Sequence, residues 1–299
     1  MNAPSAGLPP PGPSLGHDHS EGGGFVADRF GNLLAMTLHL ALAAIVLAGI
    51  SQVGLTTQPG DAIGKPPEKL SHDGFYTKYA TFKGLPILAS KNVDDKALHK
   101  LVYGIAKMLQ SVPDAWIEAF VASGSFFAII GKDEGQTDLP QYRHLKNDPN
   151  TDWDKRARGL GGRTTSAGEE NILELDGDRY RGESIWLHEF AHTLSSQMFA
   201  RVDPNHRREL RAAYEEAMAA GLWKNTYAAT NSAEYWAEGV QCYFDTNRSA
   251  NPPDGVHNEI CSREQLKEYD PALFELIERS FGGNPWRYEG KYNTSRKQG

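Results

Sequence analysis

His188, Glu189 and His192 stand together in the order H-E-F-A-H. Residues four apart on a helix share one face. The two imidazoles can therefore reach a single metal ion, and Glu189 can lean toward water at that metal. This is the H-E-x-x-H pattern of zinc peptidases. The surrounding segment, SIWLHEFAHTLSSQM, is amphipathic, so a helix is the expected local structure. As plain helix residues, the three polar side chains would interrupt a run of Ile185, Trp186, Leu187, Phe190, Ala191 and Leu194. Buried polar groups need partners, and a metal supplies one.

A catalytic zinc takes three protein ligands and keeps one position open for water. The extended pattern H-E-x-x-H-x-x-G-x-x-H does not supply the third, because Ser195 and Met198 occupy its last two sites. A glutamate about 19 or 20 residues further on is another known arrangement, but Arg211 and Ala212 stand there. Glu209, Glu215 and Glu216 lie close enough to remain candidates. A stronger signal follows at Glu234 and Glu238. Asn231 and Ser232 are good helix N-caps, which places Glu234 in a first turn and Glu238 on the same face. Two like charges one turn apart repel. They sit among Tyr235, Trp236, Ala237 and Val240, where a neighbouring cation would remove that cost.

Several elements must position these residues. Helices are expected over 94–112, from Pro113 to Gly124, over 184–200, 206–220 and 231–245, and as one piece over 263–280. In the first, Leu98, Leu101, Val102, Ile105 and Leu109 share a face. Short apolar strands are expected at SFFAIIG (125–131) and NILEL (171–175). Several helices, few strands and no βαβ alternation indicate an α+β body, mostly helical with a small sheet. An extended substrate would add to a sheet edge, for which the NILEL strand is the candidate.

The flanks differ from this body. Residues 1–31 form a tail rich in Pro and Gly, in which His17 and His19 are too loosely held to make a firm metal site. Residues 32–50 hold an uncharged apolar run from Leu33 to Ile50, long enough for a transmembrane helix or a signal anchor. Arg29 precedes it, and no Lys or Arg follows until Lys65. That asymmetry favours export of the rest of the chain, either membrane-anchored or secreted. Residues 51–70 read as a linker, 71–284 as the folded catalytic domain and 285–299 as a polar tail. In an exported chain Cys242 and Cys261, the two cysteines present, could pair.

Composition narrows the partners. The 299 residues carry 31 Lys+Arg against 38 Asp+Glu, a net charge of −7 that argues against nucleic-acid binding. Two cysteines exclude a disulfide scaffold and a four-cysteine zinc knuckle.

The H-E-F-A-H segment, followed by Tyr227, six residues, Glu234, three residues and Glu238, resembles the anthrax lethal factor-like zinc metallopeptidases, which include the Pro-Pro endopeptidases. The stretches DWDKRARGLGG, GDRYRGESIWLHEFAH and GLWKNTYAATN are similar to those of secreted members. The resemblance implies a zincin-like domain of the gluzincin type holding one Zn2+ per chain. Carried over by position, His188, His192 and Glu234 become the metal ligands. Glu189 becomes the general base, Tyr227 the catalytic tyrosine and Glu238 an acid behind the ligands. The zinc would acidify water, Glu189 would take and return its proton, and Tyr227 would help stabilise the oxyanion. The substrate would be a peptide or protein. The alternative is a non-proteolytic zinc-containing binding module at the cell surface. A purely structural site has no use for a base such as Glu189.

Overall fold

The computed structural model describes residues 63–295. The expected tail, the apolar span 32–50, the linker as far as residue 62 and the last four residues lie outside the described residues. Among the described residues no helix is long and apolar enough to cross a membrane.

A mixed five-stranded sheet forms the upper layer. Strands β1 (Lys78–Phe82) and β2 (Leu85–Ala89) make an antiparallel hairpin. Its two-residue turn, Lys83-Gly84, has positive φ at both positions (46° and 87°), the twist that matches flanking strands. Helices α1 (Asp95–Met108) and α2 (Asp114–Ala122) then cross over to β3 (Phe127–Ile130), which lies parallel to β2. The expectation of no βαβ unit is therefore corrected. Strand β2 is buried on both faces, with Leu85 and Ile87 in the large core and Leu88 in a smaller one, so its sequence shows no alternation. Strand β5 (Thr165–Gly168) runs parallel to β3, and the two-residue β4 (Gly159–Leu160) pairs antiparallel with β5. The order is β1-β2-β3-β5-β4, which leaves β4 at one edge.

The NILEL segment is helical: α3 spans Glu169–Leu173 and ends on Glu174 in the left-handed conformation, φ 56°. It cannot serve as the substrate-pairing strand. Its acids act at the turn: Glu169 accepts the backbone N–H groups of Asp94 and Lys132, and Glu170 makes a buried two-pronged bond to Arg158. Below the sheet lie α4 (Ile185–Leu194), α5 (His206–Ala219) and α6 (Ser232–Tyr243). The expected single helix over 263–280 is broken into α7 (Arg263–Tyr269) and α8 (Pro271–Ser280). Pro271 lacks an N–H and disfavours helix at Asp270, whose side chain instead caps α8 at Leu273.

Both flanks of the expected body are ordered further than composition indicated. Gly64, placed in the linker, pairs with Tyr79 through two backbone bonds of 2.9 Å. In the segment read as a polar tail, Trp286, Tyr288 and Tyr292 join the main core. Cys242 and Cys261 are both buried and are not joined to each other, so the possible disulfide is not formed.

Candidate active site

All ten residues of α4 are buried, so His188, Glu189 and His192 sit on a helix with no solvent face. The start of α4 is capped from another element. Asn171 Oδ1 accepts Ile185 N–H at 2.8 Å and Trp186 N–H at 3.3 Å, while its Nδ2 donates to Asp178 Oδ2 and the Glu183 carbonyl. Helix α6 has its own cap: Asn231 Oδ1 accepts the N–H groups of Ala233 and Glu234. Trp236 Nε1 donates to the Ala191 carbonyl at 3.0 Å and pins α6 against α4.

That packing brings three donor atoms together. His188 Nε2 and His192 Nε2 are 3.2 Å apart, and Glu234 Oε2 lies 3.2 Å and 3.1 Å from them. Among the described residues this is the group that could hold a metal. Ligand atoms about 2.0 Å from a tetrahedral zinc lie about 3.3 Å from one another, so the triangle fits. Glu234 is fully buried, and its Oε1 has no hydrogen-bond partner among the described residues. A buried carboxylate left in that state calls for a cation.

The charges agree. Burial opposes a proton on His188, but the carboxylates of Glu234, Glu189 and Glu238 outweigh it and push the imidazole up to about 10. Glu234 is lowered despite its burial, because His192 and His188 hold it ionised. The pocket is thus short of positive charge, which a divalent ion would provide. Glu189 is pushed above the ordinary carboxylate range by burial, against the pull of His188 and His192, a direction that suits a base.

Sequence spacing did not reveal how closely the sheet approaches Glu189. The Gly161 N–H faces the Glu189 carboxylate and favours its charged form. A Cβ on Gly161 would lie 2.3 Å from the Glu189 carbonyl oxygen, and one on Gly159 would lie 2.9 Å from Glu189 Cγ. Gly159 in β4 and Gly161 just after it leave no side chain in the way, so β4 and the residue after it lie directly on α4. Leu160 between them belongs to the smaller core.

Tyr227 lies in a single 3₁₀ turn, Tyr227–Ala229, and its ring stacks on His188 at 6.5 Å between centroids. Burial, then the neighbouring Glu234 and Glu189 carboxylates, pushes its phenol far up, so it stays protonated as a donor. Glu238 is buried 3.6 Å from His188 Nδ1, beyond a hydrogen bond, and accepts instead from Asn247 at 2.8 Å. The group bonded to His188 Nδ1 is Gln241 Oε1, at 2.7 Å. Gln241 was missed, although Glu234, Glu238 and Gln241 share one helical face. The other carboxylates once open as third ligands lie elsewhere: Glu215 and Glu216 are exposed on α5, and Glu209 pairs with Arg279.

The family model described as anthrax toxin lethal factor, N- and C-terminal domain, matches residues 79–280. The chain belongs to the anthrax lethal factor-like zinc metallopeptidase family. The match runs from β1 to the end of α8 and so includes every site residue named above. No curated protein matches the chain. Among solved structures, a Pro-Pro endopeptidase from Paenibacillus alvei is similar at 15% identity and a TM-score of 0.42, over 64% of this chain and 96% of that one. The α+β, zincin-like fold with its small sheet belongs to this family.

Proposed function

We propose that this member is a zinc-dependent endopeptidase. The observation that carries the reading is the triangle of His188 Nε2, His192 Nε2 and Glu234 Oε2 beside the buried Glu189. These three residues would hold the zinc. Bound there, zinc supplies a Lewis acid that acidifies water and polarises a peptide carbonyl. Glu189 removes the proton of the attacking water and passes it to the leaving amine nitrogen. The Gly161 N–H beside that carboxylate favours the charged form that accepts the proton. Tyr227 donates a hydrogen bond from its hydroxyl to the oxyanion that develops on the scissile carbonyl. With α3 excluded, β4 is the sheet edge beside α4 to which an extended peptide would add. The apolar run 33–50 supports export in the same reading.

The test is cleavage of a mixed peptide pool, read by mass spectrometry, by zinc-loaded wild type and by Glu189→Ala. The variant should keep its zinc and lose at least about 100-fold in rate. If both proteins bind zinc and neither cuts, the site belongs to a binding module instead.

A further inference from the structure

Just before α4 lies a second buried pair that the reaction does not use. His257 Nε2 stands 3.0 Å from Glu183 Oε2, and the two residues are only 4% and 7% exposed. Their neighbours in the chain give the contact its meaning. Glu183 lies two residues before α4, and the next residue, Ser184, donates its N–H to the Thr246 carbonyl. His257 follows Val256, whose carbonyl accepts the backbone N–H of Tyr227 at 2.8 Å. Asp254 stiffens this loop by accepting the N–H groups of Val256 and His257. One side-chain contact therefore joins the approach to α4 with the loop that holds Tyr227.

Tyr227 needs such a hold. A single 3₁₀ turn is a weak support, and Trp223 and Asn225 just before it have positive φ, 57° and 59°. Other side-chain anchors of the segment include Tyr214 on the Ala229 carbonyl, Tyr269 on the Trp223 N–H, Trp223 Nε1 on Asp270 Oδ2 and Asn225 Nδ2 on the Pro253 carbonyl. None of these four bonds involves α4. A hydrogen-bonded His–carboxylate pair withdrawn from water is weak evidence of a role in stability. Such a contact suits a role in fixing geometry.

We propose that His257 is a positioning residue: its bond to Glu183 sets the separation between α4 and the 254–257 loop, and through the Val256 carbonyl it holds Tyr227 beside His188. The proposal rests on the reading of Tyr227 as the oxyanion donor. Displacing a catalytic group by a fraction of its bond length is costly in rate, whereas ground-state binding and metal binding need not change.

The experiment is a cycle of wild type, His257→Leu, Tyr227→Phe and the double variant, assayed on a peptide the wild type cuts. His257→Leu should lower kcat about 10-fold, with KM and zinc content unchanged. In the Tyr227→Phe background it should cost nothing further, because the group it positions is gone. His257→Gln, which keeps a donor for Glu183, should restore most of kcat. A readout without turnover is amide hydrogen exchange at Tyr227, which should speed up in His257→Leu and not in His257→Gln. Equal losses in both backgrounds, or a loss shared by kcat, zinc content and melting temperature, would overturn the proposal. If Tyr227→Phe leaves kcat unchanged, the reading of Tyr227 fails instead. Exchange at the Tyr227 amide then decides alone whether His257 holds the loop.

Discussion

His188 is used from both ends of its ring. Gln241 Oε1 accepts from Nδ1, and Nε2 is turned toward His192 and Glu234, where its lone pair would serve a bound metal. A group behind a metal-binding imidazole fixes its tautomer and orientation, and its loss typically costs about 10- to 100-fold in metal affinity. Gln241→Leu should weaken zinc binding by that factor in competition with a coloured chelator, at nearly unchanged melting temperature. Unchanged affinity would mean that helix packing alone orients the ring. The amide at 241 leaves Glu238 free to bond Asn247, so the second acid of the E-x-x-x-E pair backs the site electrostatically, without touching a ligand atom.

Among the elements, α4 depends on groups outside itself. Its first N–H groups rest on Asn171, one turn into α3, and Ser184 makes no side-chain cap. Asn171→Ala should lower stability by about 2 kcal/mol in a urea titration, since it removes a cap and strands buried donors. The other end of α4 runs into a π-helical turn, Ser195–Phe199, that packs on His206 at the start of α5. Ser195 Oγ bonds His206 Nε2 at 2.9 Å, and burial holds this imidazole down to about 4. The unfolded chain therefore binds a proton that the folded one rejects. His206 contributes stability fully above the ordinary histidine pKa near 6.5, and that contribution is lost as pH falls from there to about 4. The loss should total roughly 3 kcal/mol. His206→Leu should flatten this part of the stability–pH curve in denaturant melts.

At the scale of the whole molecule, the segment from Trp286 to Tyr292 braces the start of α4. Tyr292 donates to Asp178 Oδ2, the same oxygen that receives Asn171 Nδ2, and Tyr288 donates to Glu174. The end of the chain is thus connected to the cap of α4 through Asp178. Trp286 packs against Phe244, just past α6, with ring centroids 5.5 Å apart and the planes tilted by 49°. Trp286→Ala should cost about 3 to 5 kcal/mol, seen as a lower melting temperature. A surface tail would show no change. Composition hid this segment because its Trp and Tyr residues are separated by Arg, Glu, Gly and Lys. Each aromatic packs singly into a core built by other elements.

What the sequence by itself determined is what local geometry controls. The spacing of His188 and His192 puts both on one helical face, Asn231 starts α6, and Glu234 and Glu238 fall one turn apart. These follow from the 3.6-residue turn and from capping chemistry. Only the tertiary structure decided which glutamate meets the histidines, that Gln241 stands behind His188, that Asn171 caps α4 and that Gly159 and Gly161, at and just after β4, lie on Glu189. Glu234 is 46 residues from His188 along the chain. No local spacing encodes that approach. It is set by how α4 and α6 pack on each other, with Trp236 hydrogen-bonded to the Ala191 carbonyl.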